Sequence, residues 1–244
     1  MRQITTSVVT SPMAHTVYCG VSPFDGGDIR AAMTYGSSNR KTGNIDQLWV
    51  LADNGEKPLD AAKSGADASV CGDCPHRQGH GVLGDCYLNL GHAARSVWQS
   101  AKDQESDLQG HRPWSRGLRL GAYGDPAMLD KDTVEALVAG YDFHTGYTHQ
   151  WKHDWAAWAK DTCMASADSP EEALQAQSEG WRTFRVTYNG DQLPSEVVCP
   201  ATTHGVTCDT CRLCAGASKQ AKSIVVLAHG SRSNKHLKAE SLKV

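Results

Sequence analysis

The sequence lacks long apolar runs and any strong excess of charge. Its longest apolar run near the C-terminus is IVVLA (224–228), which is far too short to span a bilayer. The first fifteen residues, MRQITTSVVTSPMAH, contain no apolar core of the kind that a signal peptide has. The formal net charge of −3 gives no global argument for a nucleic-acid or membrane partner. We therefore expect a soluble cytoplasmic protein with no membrane partner.

Several motifs of common enzyme families are also absent. The sequence contains no GxSxG, no HExxH and no GxGxxG, so a hydrolase, a zinc peptidase and a dinucleotide-binding protein have no motif support. The polar segment SSNRKTGN (37–44) does not have the G-x4-GK[ST] spacing of a P-loop. These absences leave cysteine as the residue type with a specific pattern.

The chain has nine cysteines, and seven of them fall into two short groups. An odd, clustered set does not fit the disulfide framework of a secreted domain. In a reducing cytosol such groups more often bind metal or take part in redox chemistry. The other two cysteines, Cys19 and Cys163, lie in segments with strand character. We expect both to be buried core residues.

The more specific group is CPATTHGVTCDTCRLC, with Cys199, Cys208, Cys211 and Cys214. The last three follow the C-x2-C-x2-C spacing of a bacterial ferredoxin, and Cys199 precedes a proline. Zinc sites usually take paired C-x2-C hooks from separate knuckles. We therefore predict an iron–sulfur cluster of the [4Fe-4S] type on these four thiols, with zinc as the alternative. His204 in the same loop either hydrogen-bonds a cluster sulfur or belongs to a turn.

The second group is CGDCPHRQGHGVLGDC, with Cys71, Cys74 and Cys86. It contains three cysteines, so a second cluster would need a fourth ligand or would leave one iron open to a substrate. An open iron suits catalysis, and we predict that any redox reaction takes place here. Cys199 could also be shared with this group. The other candidate ligands are Cys19, Asp73, His76, His80, His92 and Cys163.

The later part of the chain alternates between strand and helix patterns. Strands are predicted around 47–52 and in GLRLGAYGDP, TGYTHQW, DTCMASADS, WRTFRVTY, EVVC and SIVVLAHG. Helices are predicted after the N-caps Asp130 and Ser169, and in DWAAWAK. The alternation predicts an α/β fold with a parallel sheet, as a complete or partial (β/α) barrel, or else an open doubly wound sheet. We predict one domain over 1–218, with cysteine-rich loops at 71–86 and 199–214, followed by the last strand and a basic tail over 219–244.

Polar residues end several of the predicted strands, where parallel α/β folds place their sites. Each has a structural alternative, such as capping a helix or packing. The residues are Asp125, His149, Trp151, Ser166, Asp168 and His229. Three arginines lie near strands: Arg119, Arg182 and Arg185. Arg119 and Arg185 would bind an anion if they pointed into a barrel, and the alternative is that they point outward.

Several long motifs carry a resemblance that covers roughly residues 35–231. They are VCGDCPHR, CYLNLGHAARSVW, LRLGAYGDP, GYTHQW, MASADS, GWRTFRV and CPATTHGVTCDTCRLC. Together they resemble a family of bacteriophage-encoded proteins of unknown function, which implies phage origin, a host-cytoplasmic location and cysteine-bound metal. The strands and the three-cysteine loop are also loosely similar to radical-SAM barrels. The sequence lacks their C-x3-C-x2-C motif, so SAM chemistry is not predicted.

Three functions are consistent with these patterns. The first is an iron–sulfur protein that transfers electrons or carries out redox chemistry with a redox partner or a small-molecule substrate. The second is a zinc-stapled nucleic-acid-binding or regulatory protein that uses the basic tail. The third is a structural virion protein in which metal only holds loops together. The cationic residues of the tail are Lys219, Lys222, Arg232, Lys235, Lys238 and Lys243.

Overall fold

The computed structural model describes residues 14–37 and 39–228. The segment examined for a signal peptide therefore lies almost entirely outside the described residues. The predicted strand end at His229 and the basic tail beyond it also lie outside them. Within the described residues, ten strands form two five-stranded sheets.

The first sheet combines an antiparallel and a parallel part. Its strand order is β1-β2-β3-β4-β5; β1, β2 and β3 are antiparallel neighbours, while β4 and β5 run parallel to β3. The strands are β1 His15–Val21, β2 Asp28–Thr34, β3 Asp46–Ala52, β4 Gly117–Tyr123 and β5 Phe143–Thr145. Strand character was predicted around Cys19, which lies in β1, whereas β2 was not predicted from the sequence.

The second sheet is parallel throughout, in the order β6-β7-β8-β10-β9. Its strands are β6 Tyr147–Thr148, β7 Met164–Ala167, β8 Thr183–Thr187, β9 Glu196–Val198 and β10 Ser223–Leu227. Only Gly146 separates β5 from β6, so the chain passes directly from one sheet to the other. A Cβ atom at Gly146 would lie 2.9 Å from the Cys163 sulfur, which explains why the smallest residue stands at this passage.

Short helices cover the sheets and carry the loops. The α-helices are α1 Pro58–Ser64, α2 Ala68–Cys71, α3 Arg95–Ala101, α4 Lys131–Ala139, α5 Pro170–Ser178, α6 Pro200–Thr203 and α7 Cys208–Cys211. A π-helical turn, Leu90–Ala94, leads into α3. The 3-10 segments are Pro126–Met128, Gln150–Lys152 and Asp154–Asp161, so the helix predicted in DWAAWAK is a 3-10 helix.

The two predicted N-caps are confirmed. The Asp130 carboxylate accepts the backbone N–H of Thr133 at 2.7 Å, and the Ser169 hydroxyl accepts that of Glu172 at 3.1 Å. The Glu172 carboxylate reaches back to the N–H of Asp168 rather than that of Ser169. The start of α5 therefore also fixes the residue that ends β7.

The α/β class is confirmed, with two sheets rich in parallel strands. Closure into a barrel is not observed, because both strand orders run from one edge to another among the described residues. The strand β2 was not predicted because most of its residues, DIRAAMT, are buried on both faces and give no clear alternation.

The main core lies between the sheets and the helices, and it includes the stripe Leu118, Leu120 and Ala122 predicted for β4. Cys163 is fully buried, as predicted. The prediction for Cys19 is wrong, since its side chain is exposed. It lies on β1, an edge strand, and alternates with residues that face the core.

Among residues 14–37 and 39–228, no helix combines the length and the apolar character needed to cross a membrane.

Candidate functional site

The carboxyl ends of the parallel strands gather a set of ionisable side chains. His149 follows β6, Asp168 follows β7 and Tyr188 follows β8. The loop 72–86 lies over these ends and contributes His76 and Asp85. His76 Nδ1 is 2.6 Å from Asp85 Oδ1, and His76 Nε2 is 2.7 Å from Asp168 Oδ1. One imidazole thus joins the loop to the end of a strand 92 residues away.

His76 is the centre of a hydrogen-bond chain. Because carboxylates only accept, both of its ring nitrogens donate. Tyr188 donates its hydroxyl to the other oxygen of Asp85 at 2.8 Å. Burial lowers the pKa of His76, but the hydrogen bond and charge of Asp168 and the hydrogen bond of Asp85 outweigh burial and raise it to about 9. Burial raises the pKa of Asp168, but the neighbouring imidazoles of His149, at 3.5 Å, and His76, at 2.7 Å, hold it well below its usual range.

His149 lies beside this chain. Its Nε2 is buried without a hydrogen-bond partner, 3.5 Å from Asp168 Oδ2. Its ring meets that of His76 edge to face, with centroids 5.5 Å apart. Burial lowers the pKa of His149, but the nearby Cys74 thiol and the Asp168 carboxylate raise it well above its usual value. His76, His149 and Asp168 each offer one ligand atom, and these atoms lie within 4.8 Å of one another.

Asp125 has the structural role that was its alternative. It is buried, and its carboxylate accepts the backbone N–H of Ala127 at 2.9 Å and that of His149 at 2.8 Å. Burial raises its pKa. Trp151 is also buried, and its indole N–H donates to the carbonyl of Ser166 at 2.8 Å. These residues hold the backbone at the strand ends and so orient His149.

The three-cysteine group begins where α2 ends. Burial, then the thiol of Cys74, the charge of Asp67 and the thiol of Cys86, raise the pKa of Cys71 well above its ordinary value. The thiols of Cys74 and Cys86 therefore lie close enough to Cys71 to raise its pKa. The carbonyl of Cys71 accepts a hydrogen bond from Gln150 Nε2 at 3.1 Å, which attaches α2 to the segment after β6.

Arg77 stabilises the same loop through an ion pair and hydrogen bonds to backbone carbonyls. Its guanidinium pairs with the buried carboxylate of Asp67 and donates to the carbonyls of Gly72 at 3.0 Å and Gly65 at 2.8 Å. The arginine therefore fixes the two ends of α2 relative to the loop.

Of the candidate ligands for this group, His76 lies at the site but is engaged by two carboxylates. His80 contacts the carbonyl of Lys63, and Asp73 pairs with His153. The histidine beside Cys74 is His149, which the sequence predicted only as a residue lining the site. The spacing of His149 in the sequence, 75 residues after Cys74, gave no signal for this contact.

The four-cysteine group packs against one face of the second sheet. Cys214 forms a small buried cluster with Met164 and Ile224. Burial and the thiols of Cys199, Cys208 and Cys211 raise the pKa of Cys214 to about 12, against a hydrogen bond from the Tyr147 hydroxyl. Burial also raises the pKa of Cys208, whereas the charge of Arg119 lowers it.

The loop that carries this group is held mainly through its backbone. Arg182 is buried and donates to four carbonyls, those of Leu213, Ala215, Ala221 and Lys222. Three backbone N–H groups of the loop also donate to carbonyls outside it. Cys199 donates to Val225, Cys208 to Lys41 and Asp209 to Thr42.

The cysteine sulfurs are not arranged for a disulfide or for a single ion. The nine cysteines, all in the described residues, form no disulfide. No three of their sulfurs lie within 4.8 Å of one another, as the ligand atoms of His76, His149 and Asp168 do. A tetrahedral zinc ion with Zn–S bonds of about 2.3 Å would bring its sulfurs to roughly 3.8 Å from one another. Each group of cysteines is therefore more widely spaced than one zinc ion needs.

The remaining predicted residues divide between bridging and structural roles. Arg119 donates to the hydroxyl of Tyr87, the residue after Cys86, at 2.6 Å, and its charge lowers the pKa of Cys208. It therefore lies between the two cysteine groups. Arg185 does not offer anion binding, because Glu196 and Asp191 already neutralise it. His204 is exposed and bonds its neighbour Thr203, as expected for a turn.

A comparison of this chain with protein-family models, with curated proteins and with solved structures finds no match.

Proposed function

We propose that this protein binds two iron–sulfur clusters and takes part in electron transfer or redox chemistry, as a phage-encoded protein of the host cytoplasm. Cys199, Cys208, Cys211 and Cys214 would hold one cluster, and Cys71, Cys74 and Cys86 the other. The observation that carries the proposal is that seven cysteines lie in two groups, in which the neighbouring thiols raise the pKa of Cys71 and of Cys214. Such groups of thiols are suited to a positively charged metal that stabilises the thiolate form.

The spacing of the sulfurs supports iron–sulfur over zinc. A single zinc ion needs three or four sulfurs nearly in contact, and no three cysteine sulfurs in the described residues are that close. A polynuclear cluster takes each thiolate on a different iron, which needs wider spacing. The ferredoxin-like spacing of Cys208, Cys211 and Cys214 supports the same choice.

The two groups would differ in role. A bound cluster supplies one-electron transfer. The three-cysteine group lies beside His149, His76 and Asp168, which can orient a substrate and hold or donate a proton at the carboxyl ends of the strands. The four-cysteine group lies among apolar and backbone groups. We therefore assign reaction to the first group and electron relay or structural support to the second.

Iron and acid-labile sulfide, measured in anaerobically purified full-length protein, test the proposal. We expect a brown protein with about eight iron and eight sulfide ions per chain, as for two [4Fe-4S] clusters. Cys208→Ser and Cys86→Ser should each remove about half of the iron, whereas Cys19→Ser should remove none because Cys19 is exposed on β1. About two zinc ions and no iron would overturn the proposal and favour a zinc-stapled protein instead.

A further inference from the structure

We propose that His76, His149 and Asp168 form a separate binding site for one divalent first-row transition-metal ion. This site goes beyond the cysteine clusters and does not depend on them. Its donors are two imidazole nitrogens and one carboxylate, the ligand set that zinc and non-haem iron sites use in proteins. The three ligand atoms already lie within 4.8 Å of one another.

The first argument is a buried nitrogen that faces a carboxylate but makes no hydrogen bond of normal length. Nε2 of His149 is buried, makes no hydrogen bond and lies 3.5 Å from Asp168 Oδ2. A buried nitrogen without a partner is costly in a folded protein unless something occupies its lone pair or its proton. Its position beside the Asp168 carboxylate points it toward the centre of the group.

The second argument is the support behind His76. Histidines that ligate metals usually donate their other ring N–H to a carboxylate, which fixes the ring and its tautomer. His76 has this arrangement, since Nδ1 donates to Asp85 while Nε2 faces Asp168. Asp85 is itself held by the hydroxyl of Tyr188 at 2.8 Å. The hydrogen bonds that would orient His76 as a ligand are therefore already present.

The third argument is the balance of charge. Asp85 and Asp168 supply two negative charges at the site, and both are largely buried. A divalent cation matches that charge when it replaces the protons of the two imidazoles. On binding, the ion would take the place of the protons on His76 Nε2 and His149 Nε2, and both protons would leave to solvent.

The fourth argument is rigidity. His149 and Asp168 directly follow neighbouring parallel strands, and each is fixed through its backbone. The N–H of His149 donates to the buried carboxylate of Asp125, and the N–H of Asp168 donates to Glu172. Ligands on fixed backbone need little reorganisation when an ion binds.

Mn²⁺ is the probe that separates this site from the cysteine groups, because it prefers oxygen and nitrogen ligands to thiolates. In full-length protein, the loss of the electron paramagnetic resonance signal of free Mn²⁺ should report about one bound ion per chain. Asp168→Asn and His149→Gln should abolish this binding. Asp85→Asn should weaken it about tenfold or more, because it removes only the carboxylate behind His76.

The matched control is His153→Gln, since His153 is a nearby histidine that pairs with Asp73 outside the group. It should leave Mn²⁺ binding unchanged, and circular dichroism should show that each variant is folded. Absence of saturable Mn²⁺ binding to the wild type would overturn the proposal. So would equal binding by folded Asp168→Asn and the wild type.

The same samples separate this proposal from the iron–sulfur proposal. Cys208→Ser should lose iron and sulfide but keep its Mn²⁺, whereas Asp168→Asn should lose Mn²⁺ but keep iron and sulfide. A protein that holds iron but no Mn²⁺ contradicts only the metal-ion site. A protein that holds Mn²⁺ but no iron contradicts only the cluster assignment.

Discussion

The two cysteine loops are held in place by different kinds of contact. The loop with Cys208 and Cys214 is fixed through main-chain groups, above all by the four carbonyls that Arg182 binds. The loop with Cys71 and Cys86 also has an arginine, Arg77, bound to backbone carbonyls, but it is fixed in addition through a network of ionisable side chains with His76 between two carboxylates. Backbone hydrogen bonds take no part in chemistry at the site. The ionisable side chains both hold the second loop and lie at the site.

This difference bears on function. Hydrogen bonds between backbone carbonyls and a buried guanidinium hold a loop in one conformation. Such a loop suits a cluster that only relays electrons or stabilises the fold. A network of histidines and carboxylates can bind, orient and exchange protons. The loop with fewer cysteines is therefore the one with more reactive neighbours.

The largest expected difference between the loops is the order in which they lose metal. As a chelator is added to the metal-loaded protein, Cys71, Cys74 and Cys86 should become open to alkylation before the other group, because their shell has one ligand fewer. Mass spectrometry of alkylated peptides measures the order. Exposed Cys19 should react throughout, and buried Cys163 only on unfolding. Simultaneous labelling of both groups would contradict the comparison.

Arg182→Met should remove the hydrogen bonds that hold the four-cysteine loop in place. It leaves four carbonyls without their donor, so we expect the free energy of unfolding to fall by about 3 kcal/mol. The variant should also lose metal from that loop first, reversing the order above. Urea unfolding measures the stability.

Arg116→Met is the control for that measurement. Arg116 pairs with Asp142 in an ion pair whose side chains are 74% and 53% exposed, so we expect a change below about 1 kcal/mol. Equal losses of unfolding free energy in the two variants would show that the hydrogen bonds of Arg182 do not stabilise the loop.

Ser169→Ala should act on the other region. It removes the cap of α5, whose first turn fixes Asp168, and should cost about 1 kcal/mol of unfolding free energy. Ser178→Ala on the same helix is the control. Ser178 is exposed, and its loss should change stability by less than about 0.5 kcal/mol. Iron bound by the four-cysteine loop should be unchanged in both, and iron loss from that loop in Ser169→Ala would mean that the two regions are coupled.

Arg119→Gln should have the smallest effect and tests the contact between the regions. The charge of Arg119 lowers the pKa of Cys208, so its removal should raise that pKa and slow alkylation of Cys208 several-fold in metal-free protein. Arg116→Gln, which changes an arginine that is 74% exposed, is the control. An unchanged rate at Cys208 would show that Arg119 does not act across the two regions.

Local patterns predicted local structure well. The caps at Asp130 and Ser169, the apolar stripe of β4 and the strands of the parallel sheet depend on neighbouring residues, and each is observed. The strand β2 was missed because most of its residues are buried on both faces. Cys19 was misjudged because nothing local marks β1 as an edge strand.

The sequence by itself determined which residues could bind metal and the spacing within each cysteine group. Only the tertiary structure decided that His76 meets Asp168 and that Tyr188 meets Asp85, contacts that span 92 and 103 residues. The physical reason is that parallel strands bring their carboxyl ends together from distant parts of the chain. Spacing along the chain carries no information about which ends become neighbours, so the histidine and carboxylate group emerged only from the fold.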